Sequence, residues 1–295
     1  MLFSSVSFLF GFLPIVLILY YAIPKKYRNL WLLIVSLFFY FWGEPIYSLL
    51  MLASITSGYV HGLIIEKYRG TKRAKAAIVS SLVTSLGALA VFKYCDFFIS
   101  SFNAVFGLSV PLLRIALPLG ISFYTFQILS YTIDVYRGTS ARRSFVAFGA
   151  YISMFPQLVA GPIVRYSDIE WQLDNREYTM SGFALGVRRF IAGLSKKIIF
   201  ANSLAELTAS VGALENPDTL ACWLGALGFT LQIYFDFSGY SDMARGLGGM
   251  LGFEFPENFR YPYLSGSVSE FWRRWHMTLG TWFRDYVYIP LGGSR

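Results

Sequence analysis

The distribution of apolar residues constrains this chain more than any other feature. Met1–Ile23, Ile46–Ile65, Ala76–Phe92 and Leu220–Phe235 contain no Asp, Glu, Lys or Arg, and Leu117–Val135 contains one, Asp134. About 20 consecutive apolar residues suffice to cross a bilayer as a helix. Only 14% of the residues are charged, against about 25% in a soluble domain. That deficit leaves too little polar surface for a water-soluble globule. Backbone polar groups in lipid must be satisfied within the segment, which favours helices. The expected fold class is therefore all-α: a polytopic integral membrane protein of about nine transmembrane or re-entrant helices.

The basic residues lie between the apolar runs. Lys25, Lys26 and Arg28 follow Met1–Ile23, and Lys67, Arg69, Lys72, Arg73 and Lys75 follow Ile46–Ile65. Loops rich in Lys and Arg stay on the cytoplasmic side, so both are expected inside and Glu44 outside. A signal peptide carries its positive charges ahead of its apolar core. Here they come after it, so Met1–Ile23 reads as an uncleaved first span. The net charge of +8 is explained by these loops and gives no reason to invoke nucleic acid. Cys95 and Cys222 are the only cysteines. They make no disulfide framework and, without a histidine at ligand spacing, no zinc site.

Several breaks are expected. Gly43-Glu44-Pro45 should end a helix that begins near Leu30. Lys93–Asp96 reads as a polar break, which leaves Phe97–Leu108 as a short interfacial or re-entrant piece. Pro118 and Gly120 allow distortion at the start of the next helix. Ser144–Ile163 is apolar but holds Pro156, Gly161 and Pro162, and is expected to be a broken segment surrounded by protein or an aqueous cavity. Tyr166–Tyr178, with Asp168, Glu170, Asp174 and Glu177, reads as a surface loop. Phe183–Leu207 reads as an amphipathic helix whose Arg189, Lys196 and Lys197 form a solvated face or, alternatively, meet the phosphates of an acyl carrier. The glycines from 246 to 252 resemble a phosphate loop only weakly. No Gly-Lys-Ser/Thr follows them, and close helix packing is the better explanation.

Polar groups within apolar runs are candidate site residues. Gln127 should face other helices or a water-filled cavity. Asp236 and Asp242 need partners, and Arg245 is the nearest candidate in sequence. The two carboxylates either line a substrate path or hold a broken helix together. The last stretch, Ser265–Arg295, concentrates the remaining chemistry. Ser267 and Glu270 have capping-box spacing, and Phe271, Trp272, Trp275, Leu279 and Trp282 recur as one helical face. His276, one of two histidines, sits beside that face with Arg273 and Arg274. The residues alone support two readings: an interfacial helix anchored by aromatics, or a proton-transfer site.

Glu270-Phe-Trp-Arg-Arg-Trp-His276 and Trp282-Phe-Arg-Asp-Tyr-Val-Tyr-Ile-Pro-Leu-Gly-Gly293 together resemble the signature of the membrane-bound O-acyltransferases. The branch most similar is the one that acetylates alginate and transfers D-alanine to lipoteichoic acid. Leu117–Gln127, Phe155–Ile163 and Tyr234–Asp242 agree with it in the family's order. The resemblance implies a single membrane domain over 1–295, with N-terminal helices in 1–110 and the acyltransferase core, around a central tunnel, in 111–295. It also implies transfer of an acyl group, expected to be acetyl, from a cytoplasmic thioester to a hydroxyl. The donor would be acyl-coenzyme A or an acylated carrier protein, with no bound cofactor and no metal. The acceptor system would be an extracytoplasmic polysaccharide such as alginate, or a cell-wall polymer, served by partner acyltransferases in a bacterial cytoplasmic membrane. His276 matches the family's motif histidine and is the expected catalytic residue. Chemistry, not the motif, nominates Gln127, Arg273, Arg274, Asp236 and Tyr240 as substrate-binding. The family's second histidine lies beyond the Pro-Leu-Gly-Gly segment, and this sequence ends at Arg295 without it. The expectation is an incomplete core that is inactive alone. The alternative is a non-enzymatic channel or scaffold for polysaccharide export.

Overall fold

The computed structural model describes residues 2–158 and 161–294. Positions 159 and 160 of the broken segment, and Arg295, lie outside the described residues. The helices, in chain order, are α1 (Leu13–Ala22), entered through a π-helical turn at Ser7–Phe12, α2 (Arg28–Gly43), α3 (Tyr47–Lys67), α4 (Lys72–Phe106), α5 (Ile121–Arg137) and α6 (Phe145–Ser153). There follow the single turn α7 (Tyr166–Ile169), α8 (Met180–Ser195), α9 (Asn202–Gly212), α10 (Thr219–Met250), α11 (Val268–Arg274) and α12 (Met277–Phe283). Among the described residues no strand forms, only one antiparallel bridge between Phe259 and Trp275. Among the described residues three helices, α3, α4 and α10, are long and apolar enough to cross a membrane. They carry large apolar side chains in the open: Val83, Phe97, Phe102 and Val105 on α4, and Leu220, Trp223, Leu227 and Phe229 on α10. A soluble protein does not leave such continuous apolar surface in water; on a membrane protein it is the lipid-facing side.

The chain forms two compact units, Met1–Lys25 with Ala160–Val164 and Asp168–Arg295, and Lys26–Val159 with Arg165–Ser167. In the second unit, α2 stops at Gly43 as its Gly-Glu-Pro sequence requires. The expected break at Lys93–Asp96 does not occur. α4 runs through it for 35 residues, because the stretch has no proline or glycine and its carboxylate is used elsewhere. Asp96 accepts the backbone N–H groups of Leu113 (2.8 Å) and Arg114 (3.0 Å), holding the following loop back along the helix. Gly120 opens α5 at φ 72°, and a Cβ there would lie 2.5 Å from the Leu158 carbonyl oxygen. Only glycine combines that left-handed backbone with so close an approach.

α6 breaks after nine residues, and Met154, Phe155, Gln157 and Leu158 continue as irregular, buried chain. Two of its donors are bonded within the protein, while Gln157 Oε1 has no hydrogen-bond partner among the described residues. The Phe155 N–H donates to Ser36 Oγ (3.1 Å), and Gln157 Nε2 donates to the Tyr151 carbonyl (2.6 Å). Gln127 is also buried inside this unit, as a glutamine on an apolar helix should be.

Tyr166–Tyr178, which from Asp168 on belongs to the first unit, departs from a plain surface loop. Ile169 and Leu173, on two short helical turns, are buried. α8 and α9 join through a π-helical segment, Lys196–Ala201. α8 packs closely on the second half of α10. Gly186 and Gly193 on α8 meet Gly246 and Gly239 on α10, each so near that an added Cβ would fall within 2.8 Å of the partner's backbone. This is small-residue packing of the kind membrane helices use.

Candidate active site

α10 is continuous through Asp236 and Asp242, so neither carboxylate marks a broken helix. Asp236 pairs with Lys197 and Asp242 with Lys196, each at 2.6 Å. Arg245 is not the partner, and the two lysines are not a free solvated face. An ion pair is what makes a carboxylate tolerable on a helix of span length. Asp236 is 48% exposed, and in water a pair so open would contribute about 0–1 kcal/mol. On a membrane-crossing helix an orphaned charge costs about 2.5–3.5 kcal/mol. We therefore expect Asp236→Leu alone to lower the yield and thermal midpoint of membrane-inserted protein. Adding Lys197→Leu should restore both, and a single variant as stable as wild type would dismiss the pair's structural role.

The histidine site is built downstream. Ser267 Oγ accepts the Glu270 N–H (3.2 Å) and starts α11. The Glu270 carboxylate accepts the Gly266 N–H (3.0 Å) and the Arg274 guanidinium (2.6 Å). These two donors, the backbone one first, hold its carboxyl below the usual range. The capping expectation thus holds, but the expected continuous aromatic helix does not. α11 ends at Arg274, Trp275 is extended, and His276 adopts φ 45°, ψ 52° as the N-cap of α12.

The segment 258–260 causes the break. It runs antiparallel to 274–277, with Arg260 N–H donating to the Arg274 carbonyl (2.9 Å) and Met277 N–H to the Asn258 carbonyl (3.0 Å). A left-handed backbone is uncommon for a residue other than glycine. Here the two hydrogen bonds to the 258–260 segment and the new helix start hold it.

At this kink the His276 ring packs edge-on against Phe237 of α10 (4.8 Å between ring centres) and nearly parallel to Phe259 (6.4 Å). Trp275 packs on Phe259, Phe271 and Tyr234, closing an aromatic surround. His276 lies outside the three candidate spans. Burial among these rings pushes its pKa down from 6.5 to about 4, so the imidazole is neutral at physiological pH. Its Nδ1 lies 3.0 Å from Asn258 Oδ1. Asn258 Oδ1 also accepts Thr278 Oγ1–H (2.9 Å), while Thr278 Oγ1 accepts the Ile163 N–H (3.0 Å). Sequence reasoning missed Asn258 and Thr278. Asn258 is neutral, lies 18 residues away and carries no periodic signal. The one available hint was an amide on a proline-flanked connection leading into the aromatic helix.

The other nominated residues are placed as follows. Phe237 brings the Asp236–Tyr240 segment beside His276, although the Asp236 carboxylate itself engages Lys197. Tyr240 stacks on Phe3 at 4.7 Å. Arg274 engages Glu270, and exposed Arg273 donates to the Ser269 carbonyl. Gln127 belongs to the other compact unit. Among the described residues no cluster of three or more His, Cys, Asp or Glu could hold a metal ion.

Residues 19–295 match the model of the MBOAT, membrane-bound O-acyltransferase, family. A probable alginate O-acetylase of Pseudomonas aeruginosa is 48% identical over 301 residues, covering 100% of this chain and 58% of the relative. A peptidoglycan O-acetyltransferase of Helicobacter pylori is 33% identical over 330 residues, covering 100% of this chain and 62% of the relative. A teichoic acid D-alanyltransferase of Bacillus subtilis is 30% identical over 177 residues, covering 58% of this chain and 45% of the relative. The chain therefore spans about six-tenths of the length of the acetylase relatives it matches. The family match includes α10, the Asn258 connection and the His276 kink, and the chain that builds this site belongs to the membrane-bound O-acyltransferase family.

Proposed function

We propose that this chain forms the histidine-bearing part of a membrane-bound O-acetyltransferase that esterifies hydroxyls for an extracytoplasmic polysaccharide, alginate or a cell-wall polymer. The observation that carries the reading is the neutral, half-buried His276 imidazole at a kink within the family-matched core. Ester formation from a thioester needs a base for the attacking hydroxyl. His276 Nε2 takes the hydroxyl proton as the oxygen attacks the thioester carbonyl carbon. The carbon–sulfur bond then breaks, and the proton leaves on the thiol. Developing negative charge on the carbonyl oxygen needs fixed donors. Arg273, Arg274, Gln127, Asp236 and Tyr240 are the side chains proposed to orient donor and acceptor.

The donor is acyl-coenzyme A or an acylated carrier protein, entering from the cytoplasm. The helices, about nine crossing or re-entrant segments of one membrane domain, enclose a tunnel that leads across the bilayer. The protein is multi-pass in a bacterial cytoplasmic membrane, and extracytoplasmic acyltransferases complete the modification. The basic loops around Lys26 and Arg73 face the cytoplasm. The relatives' printed activities and the positive-inside distribution support this reading.

The test is isotopic. Membranes from cells with and without the protein, as the cell makes it, are given acetyl-labelled coenzyme A or acetylated carrier. Polysaccharide-linked, alkali-labile acetate should appear only where the protein is present. Equal labelling in its absence would remove the assignment.

A further inference from the structure

We propose that Asn258 is the positioning residue of His276: its side-chain oxygen holds the imidazole in the tautomer protonated at Nδ1, so that Nε2 presents its lone pair to the reacting hydroxyl. The significance of this for catalysis rests on His276 being the base; the tautomer itself does not.

The argument is one of hydrogen-bond accounting. A 3.0 Å contact between an imidazole nitrogen and an amide oxygen leaves the direction open until the amide's orientation is fixed. Thr278 fixes it. The Thr278 backbone N–H lies 3.3 Å from Asn258 Oδ1 and can only donate. The atom facing it must therefore be the oxygen, not the NH₂. The imidazole nitrogen that shares this oxygen must then donate as well. With the proton on Nδ1, Nε2 is the acceptor. Among the described residues Nε2 has no hydrogen-bond partner, so it is available to substrate.

Two further observations separate this role from packing. Asn258 is 1% exposed, yet its Nδ2 has no partner. A residue selected only to fill this space would not bring an unmatched pair of donors with it. What the site uses is the oxygen. The same residue's backbone carbonyl accepts the Met277 N–H and helps hold the left-handed His276 backbone. Asn258 thus sets both the backbone angle and the ring state of its neighbour. The rings packed on the imidazole, Phe237 and Phe259, carry no charge that could take over this function.

In the whole protein labelled with 15N-histidine, the resonances lost in His276→Gln are those of His276 and report on its ring alone. In detergent micelles above pH 6, the whole protein should show Nδ1 protonated and Nε2 unprotonated. Wild-type Nε2–H would overturn the proposal, and that measurement needs no Asn258 variant to fold. Asn258→Ala should shift the ring towards the Nε2–H form and lower kcat about 10- to 100-fold with little change in KM. Asn258→Asp still accepts the Nδ1 proton. It should keep the tautomer, retain most of kcat, and raise the imidazole pKa together with the acid limb of kcat/KM. An unchanged tautomer in Asn258→Ala would also overturn the proposal. If the tautomer responds while His276→Ala keeps full turnover, the positioning stands and the catalytic reading of His276 falls.

Discussion

Replacing His276 should reduce acyl transfer by about 10²–10⁴-fold, the usual contribution of a positioned general base. His276→Asn is the sharper variant, because asparagine tolerates the left-handed backbone better than most residues and cannot take the proton. In His276→Ala, Asn258 Oδ1 keeps both Thr278 donors; the variant loses one hydrogen bond, on the order of 1 kcal/mol, and the ring's packing on Phe237 and Phe259, so turnover is read per folded molecule. His61→Ala is the control. Its ring joins α3 to α4, bonding the Ser57 carbonyl (2.7 Å) and Ser80 Oγ (3.1 Å), and its loss should leave turnover per folded molecule unchanged. Full turnover by both His276 variants would exclude His276 from the reaction.

The same residue sets a pH dependence. Its folded pKa, about 4, lies below the roughly 6.5 of an unfolded histidine. Between these values the unfolded chain binds more protons, so stability rises with pH across this window. The contribution is complete above about pH 6.5 and is lost as pH falls towards 4. For turnover, the acid limb due to His276 should lie near the lower value. A limb at an ordinary histidine pKa would show that the ring is solvated during the reaction.

The second large effect is on folding. Gly246→Ala places a methyl 2.5 Å from the Phe190 backbone nitrogen and 2.7 Å from the Gly186 carbonyl oxygen. Neither can move without shifting α8, so α8 and α10 must separate. Overpacking costs about 1–3 kcal/mol even where side chains can yield; against backbone we expect at least the top of that range. Gly246→Val should fail to accumulate. Gly87→Ala on α4 is the contrasting case. It meets nothing within 4 Å and should be neutral or stabilising by about 0.4–1 kcal/mol. Thermal midpoints in detergent would check both, and a Gly246→Ala protein as stable as Gly87→Ala would mean that the helices are not in close contact.

Much of the architecture is legible in local signals. The uncharged runs announce the long helices, since length and hydropathy act within one segment. Gly43-Glu44-Pro45 ends α2, Ser267 starts α11, and the glycines near 246 report close packing. Each of these depends on the residue and its immediate neighbours. The misread positions are those where distant partners outvote local pattern. Lys93–Asp96 looks like a break because it is polar, but Asp96 spends its charge on the Leu113 and Arg114 N–H groups and α4 continues. Lys196 and Lys197 look like a solvated face until Asp242 and Asp236 are seen to approach them.

The site divides in the same way. Sequence singled out His276 by its motif and its rarity, and it singled out the aromatic neighbours by type. It treated Phe271–Trp282 as one helix, because helical periodicity is continuous there. Only the tertiary structure inserts the kink: pairing with 258–260 offers backbone hydrogen bonds that intrahelical geometry would otherwise supply. The tautomer of His276 was beyond sequence altogether. It depends on which atom of Asn258 faces the Thr278 N–H, a contact between residues 20 apart in sequence that only the folded chain makes.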